Sequence, residues 1–128
     1  MVLDSSAIVA ILLVEDDYSL FLKAVKENPC RVGAPTVLEV AMVLTGRIQQ
    51  EDPQELLDGF LMMAEVEVVP FGYQHFKVAR AAFVRYGKGR HPASLNLGDC
   101  LTYAVAKVAG EPLLFKGNDF SQTDLLAA

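Results

Sequence analysis

MVLDSSAIVAILL, residues 1–13, joins three signals in one short stretch. Val2 and Leu3 form a short apolar pair, as a buried strand end would. Asp4 breaks the apolar run with a carboxylate. From Ser5 onward the stretch reads as a helix, although Ile8 and Val9 are β-branched and would also suit a strand. A strand that passes to a helix through an acid looks like the start of a βα unit. In parallel sheets such carboxyl ends face the ligand side.

The unit recurs along the chain. DDYSLFLKAVKEN, residues 16–28, places Tyr18, Phe21, Leu22 and Val25 on one helical face, and Pro29 ends it. RVGAP, residues 31–35, supplies a second strand. TVLEVAMVLTGRI, residues 36–48, is a helix with Thr36 near its cap and Gly46 towards its end. DPQELLDGFLMMA, residues 52–64, has Asp52 as cap, Pro53 at the first helical position and Glu55 three residues after the cap. VEVVPF, residues 66–71, is a third strand. YQHFKVARAAFVRYG, residues 73–87, is an amphipathic helix stopped by Gly87 and the loop KGRHPAS. A further helix follows Asp99 and ends at Gly110 and Pro112. LLF, residues 113–115, is a fourth strand, and KGNDFSQTD is a polar loop. Strands alternating with helices predict an α/β fold, a parallel sheet with helices on both faces.

The 128 residues suit a single domain spanning 1–128, and 52% hydrophobic against 21% charged is a globular balance. No 18-residue apolar run is present to span a membrane. Asp4 interrupts the apolar start and no basic residue precedes it, which argues against a signal peptide and makes the cytoplasm the expected compartment. Cys30 and Cys100 match no metal spacing and read as small buried side chains. With only His75 and His91 available, a metal here would be held by carboxylates, which suit hard ions such as magnesium or manganese.

A net charge of −5 opposes a polyanionic partner at first sight. Its distribution qualifies that. Between Val68 and Gly98 there is no acid, while Lys77, Arg80, Arg85, Lys88 and Arg90 all fall there. This window is either a solvated helix face with a flexible loop or a local phosphate-binding strip.

The acids then sort by neighbourhood. Asp16, Asp17, Glu51, Asp52, Asp58 and Glu111 lie in polar settings that solvent explains. Glu65 and Glu67 alternate with Val66 and Val68, on the wet side or end of a strand. Four others fit less comfortably. Asp4 ends the first strand, Glu39 lies between Leu38 and Val40 in an apolar helix, Asp99 opens a buried helix, and Asp119 follows the last strand. Each alone has an ordinary account: a cap for Asp4 or Asp99, solvent for Glu39, an Asx-turn for Asp119. Together they share one edge of a parallel sheet. Carboxylates converging there repel unless a cation lies among them, so a divalent metal is expected.

These blocks carry a resemblance. MVLDSSAIVAIL, PTVLEVAMVL, GDCLTYAVAK and LLFKGNDFSQTDL resemble, in order, the four acidic blocks of PIN-domain ribonucleases, and most of all the VapC toxins of toxin–antitoxin pairs. The resemblance implies a three-layer α/β/α sandwich around a short, mainly parallel central sheet. It implies catalytic and metal-ligand roles for Asp4, Glu39, Asp99 and Asp119, with Ser6 orienting ligands or substrate. In a common version of the last block an Asp stands two positions earlier, where this chain has Gly117, so Asp124 is the substitute candidate for the fourth ligand.

The implied activity is hydrolysis of RNA by in-line attack of water, with Mg²⁺ or Mn²⁺ as cofactor lowering the pKa of that water. Arg85, Lys88, Arg90 and Lys116 would hold flanking phosphates. The implied partners are RNA, a second copy of the chain and a cognate VapB-like antitoxin. The groove for that antitoxin is expected around Ile8, Leu12, Tyr18, Phe21 and Leu22. Two other classes use the same acids: a metal-dependent DNA nuclease or phosphatase, and a non-catalytic PIN-like binding module.

Overall fold

The computed structural model describes residues 1–128. Its strands are short because each runs only as far as its apolar pair or triplet: β1 is Val2–Leu3, β2 Arg31–Gly33, β3 Glu67–Val69 and β4 Leu113–Leu114. All pair in parallel, in the order β3-β2-β1-β4. The helices are α1 Ser5–Leu12, α2 Tyr18–Glu27, α3 Ala34–Arg47, α4 Pro53–Met63, α5 Tyr73–Tyr86 and α6 Leu97–Ala109. The expected α/β architecture is therefore present, and Ser5–Leu12 is helical despite its β-branched residues.

Side chains alternate across the pleat, so each strand feeds two cores. Val2 and Leu113 join α5 and α6 residues such as Ala82, Tyr86, Tyr103 and Val105. Leu3, Leu114 and Val32 face the other way, onto Ala7, Ile8, Val40, Leu44 and Leu57 from α1, α3 and α4. Helices thus cover both faces of the sheet. Residues 126–128 lie along β4, with Leu113 N donating to Leu126 O at 2.9 Å and Ala128 N to Leu113 O at 2.9 Å.

Several local expectations change in detail. α3 starts before Thr36, with Gly33 as its cap and Pro35 in the first turn, where a missing N–H costs nothing. Thr36 is buried one step inside the helix and bonds elsewhere. Asp52 does cap α4 by accepting from Gln54 N at 2.9 Å. Gly110 ends α6 in the left-handed region at φ 67, as a helix-stopping glycine should.

The strand order places the site. The chain steps outward from β1 to β2 to β3, then returns to the other side of β1 as β4. The carboxyl ends of β1 and β4 therefore flank the point where the order reverses, the usual place for a ligand crevice. Asp4 follows β1 directly, and its N–H donates to Leu114 O of β4 at 3.0 Å.

Candidate active site

Asp4 is the N-cap of α1. Its Oδ2 accepts from Ser6 N at 3.1 Å and from the Ser6 hydroxyl. Ser6 Oγ in turn accepts from Lys116 N at 2.9 Å, which ties the loop after β4 to the loop after β1. Asp4 is only 6% exposed, and its Oδ1 takes part in no hydrogen bond. The serine two residues after the acid thus holds one carboxylate oxygen and leaves the other free.

Asp99 repeats that arrangement on α6. It is the third residue of a capping box: Asp99 N donates to Asn96 Oδ1 at 2.9 Å, and Asn96 N donates to Asp99 Oδ2 at 3.1 Å. The capping account of this acid is therefore correct, but it uses only one oxygen. Burial pushes the Asp99 carboxyl up to about 6; the Asn96 N–H opposes the rise, and the charges of Asp119, Asp4 and Glu39 add to it. The other three acids singled out in the sequence therefore all act on Asp99. Asp124 is not among them.

Glu39 comes to the cluster from α3, where it is half-buried. It lies against Gly98 in the first turn of α6, so closely that a Cβ on Gly98 would stand 3.1 Å from Glu39 Cδ and nearer still to Oε2. Asp119 is exposed, in the loop after β4. None of the four acids has a basic partner: every salt bridge in the molecule lies elsewhere. No buried side-chain oxygen lacks both a partner and solvent access, so the free oxygens of Asp4 and Asp99 reach solvent. Such a donor set, all oxygen and all anionic, fits a hard divalent cation. As the side chains stand, no three of them close on a single point. The acids do not form a finished cage.

The other candidate residues are placed differently. Lys116 Nζ is held by Glu15 at 2.8 Å and Asp17 at 3.1 Å, so Asp17 is not merely solvated and the ammonium is already engaged. Those partners raise the Lys116 pKa. Glu111, also assigned to solvent, pairs with Arg31 at 3.0 Å. Arg85 reaches Asp124 at 4.0 Å and stacks over Tyr86, while Arg90 stacks over Phe83. Arg85, Lys88 and Arg90 make no bond to the acid cluster, although the loop carrying two of them leads directly into α6. Ile8, expected in a binding groove, is fully buried core.

Asp124, the substitute fourth ligand, is committed elsewhere. It accepts from Tyr103 Oη at 2.7 Å and from Lys107 Nζ at 2.7 Å. The Lys107 ammonium holds its pKa below the usual carboxylate value. Burial and that same bond push the Tyr103 phenol up. Asp124→Asn is expected to cost about 1 kcal/mol of stability, through loss of the charged bond to Lys107. Cleavage by this variant should stay within about twofold of wild type. Parallel melting and cleavage assays check this, and a collapse of activity with folding intact would return Asp124 to the site.

Sequence reasoning missed two features here. The close approach of Gly98 to Glu39 was signalled only by a glycine inside a helix start. The bond between Thr36 and Thr102 had no signal of its own, since either threonine alone reads as an ordinary helical residue.

The PIN domain family model matches residues 1–126. Ribonuclease VapC of Mycolicibacterium smegmatis is 47% identical over 128 residues, covering 99% of this chain and 98% of its own length. Ribonuclease VapC30 of Mycobacterium tuberculosis is 44% identical over 126 residues, with 98% and 95% covered. Among solved structures, VapC20 of Mycobacterium tuberculosis, a sarcin-ricin loop cleaving toxin, has a TM-score of 0.79 at 17% identity, covering 99% of this chain and 97% of its own. A toxin–antitoxin complex from Klebsiella pneumoniae includes a chain with a TM-score of 0.73 at 14% identity, with 99% and 95% covered. At those identities the structural likenesses establish the fold alone.

Proposed function

The chain belongs to the PIN domain family, and on that premise we propose that it is a metal-dependent endoribonuclease, the toxin of a VapBC-type pair. The observation that carries this is the buried Asp99 carboxylate with Asp4, Glu39 and Asp119 acting on it, none of the four having a basic partner. The relatives named ribonuclease VapC support the choice of RNA as substrate.

Asp4, Glu39, Asp99 and Asp119 would hold Mg²⁺ or Mn²⁺. When bound, such an ion lowers the pKa of water and offsets charge developing on a phosphodiester. The chain's own residues do the rest. Ser6 and Asn96 fix one oxygen each of Asp4 and Asp99, so the opposite oxygens stay free. Neither imidazole bonds to any of the four acids. His75 Nδ1 accepts from Gly72 N and His91 Nδ1 from Ala93 N, both at 3.0 Å. The four acids would repel an RNA phosphate by themselves, so cation and substrate depend on each other electrostatically. Cleavage of a labelled RNA panel with Mn²⁺ and with chelator tests the proposal. Cleavage confined to the Mn²⁺ samples is expected; cleavage that ignores the chelator would remove it.

Arg85, Lys88 and Arg90 are proposed to steady flanking phosphates of the same strand. Neutralising all three should lower the salt dependence of RNA binding by about 2 in the slope of log K against log salt. A filter-binding titration at several salt concentrations checks this, and an unchanged slope takes the strip out of the RNA path. Lys116 would join them only by leaving Glu15 and Asp17.

The antitoxin is proposed to occupy an apolar groove of about 870 Å³ between α2 and α4. Leu12, Leu22, Leu56, Phe60 and Met63 line it, and Glu27, Glu55 and Glu65 outnumber Lys26 at its edge. An amphipathic helix with an apolar stripe and basic flanks matches that chemistry. Leu12 and Leu22 line this groove, whereas Phe21 does not; all three also pack onto the core beneath. Met63 is 87% exposed, so Met63→Glu should leave the melting temperature unchanged. Antitoxin affinity should fall about tenfold or more. Equal affinity in a calorimetric titration would move the partner off this groove.

The same proposal includes a homodimer acting in the cytoplasm. Leu38 and Met42, exposed one turn apart on α3, offer apolar surface for a second copy. No helix is long and apolar enough to cross a membrane.

A further inference from the structure

The helices that carry Glu39 and Asp99 meet at three successive levels. At the first, a Cβ on Gly33 would stand 2.8 Å from Val105 Cγ2, so the backbone at the start of α3 lies directly on α6. At the third, Gly98 lies against the Glu39 carboxylate. Between them, Thr36 Oγ1 and Thr102 Oγ1 share a hydrogen bond of 3.1 Å. Both threonines are buried, 4% and 1% exposed. This is the one side-chain hydrogen bond that joins α3 to α6.

Spacing links the pair to the site. Thr36 lies three residues before Glu39, and Thr102 three residues after Asp99. Residues three apart are neighbours on one helical face. Each hydroxyl therefore sits one turn from an acid, on the side where the two helices touch. The glycine and valine contacts above and below are non-directional and tolerate a small slide. A hydrogen bond does not, because a slide strands two buried hydroxyls without partners.

Stability alone gives little reason for the pair. Two buried hydroxyls that satisfy each other are nearly equivalent in net stability to two apolar groups of the same shape. What they add is direction. We infer that Thr36 and Thr102 are positioning residues, whose buried hydroxyl bond sets the register of α3 on α6 and so holds the Glu39 carboxylate beside Gly98, in the helical turn that carries Asp99. The inference rests on the proposal that these acids hold a divalent cation. Thr36 and Thr102 themselves touch neither substrate nor metal in this account.

The test compares wild type, Thr36→Ser, Thr36→Val and the double variant Thr36→Val/Thr102→Val. Each is measured for Mn²⁺ affinity by calorimetry, for metal-free melting temperature, and for kcat and KM on one RNA. Valine keeps the shape and removes the bond, whereas serine keeps the hydroxyl and loses a methyl group. If register is set by the bond, Mn²⁺ affinity falls about tenfold in the valine variants, at the low end for residues that orient metal ligands. Serine then stays near wild type, and the loss in activity appears in kcat with KM unchanged. Should Thr36→Val alone fold poorly because the Thr102 hydroxyl is stranded, the double variant removes both hydroxyls and carries the comparison. Double-variant affinity equal to wild type, or a loss that follows the missing methyl in serine, overturns the inference and leaves the metal proposal standing. Failure of wild type to bind Mn²⁺ overturns both.

Discussion

Asp99→Asn is expected to give a protein that melts higher than wild type without metal and no longer cleaves RNA. The asparagine still accepts from Asn96 N, so the capping box survives. What disappears is a desolvated negative charge among three others. Burial, with Asp119, Asp4 and Glu39 adding to it, raises the Asp99 carboxyl from 3.8 to about 6. The folded state therefore binds more protons than the unfolded chain between those values. Stability contributed by the proton is fully present below pH about 4 and is lost as pH rises through about 6. At pH 7 the ionised form costs up to about 3 kcal/mol. Removing it should raise the metal-free melting temperature by several degrees, roughly 3–8 °C.

The same substitution removes a cation ligand. Cleavage should fall on the order of 10³-fold, with the stabilisation by Mn²⁺ largely gone. Melting curves from pH 4 to pH 7, with Mn²⁺ and with chelator, check both halves. In chelator the wild type should lose stability across that range while the variant stays flatter, and the two should converge near pH 4. A variant that melts lower than wild type at pH 7, or that cleaves normally, would reduce Asp99 to a helix cap.

Gly98→Ala carries the second large effect. Alanine suits a helical position better than glycine by up to about 1 kcal/mol. Its methyl group, however, would enter the space of the Glu39 carboxylate. The atoms displaced are the end of a flexible side chain, so the fold gives way there cheaply and Glu39 swings aside. Stability should stay within about 1 kcal/mol of wild type, while cleavage falls on the order of 10²-fold, as expected for an ångström-scale misplacement of a catalytic group. Mn²⁺ affinity should fall with it. Unchanged affinity and rate in a well-folded Gly98→Ala protein would show that Glu39 works from another position, or not at all.

Local features were legible from the residues alone. Short apolar pairs gave the strands their positions, period and punctuation gave the helices theirs, and the four acids stood out together because carboxylates that converge repel unless a cation lies among them. Asp4 and Asp119 could be singled out because each follows a strand, Asp99 because it opens a helix, and Glu39 because it lies between apolar residues in a helix that follows a strand.

Partnerships between distant side chains were decided by the tertiary structure. Lys116 lies about a hundred residues from Glu15 and Asp17, which hold it at 2.8 and 3.1 Å. Asp124 turns to Tyr103 and Lys107 instead of the acids. Thr36 meets Thr102 across 66 residues of chain, and Gly98 meets Glu39 in the same crossing. Sequence by itself determined which backbone segments form and which acids to single out, because period, caps and chain direction are local properties. Which oxygen stays free, which lysine is engaged and how closely α3 approaches α6 depend on the angle and distance at which packed helices cross. Those come from the shapes of all the side chains in the two cores at once.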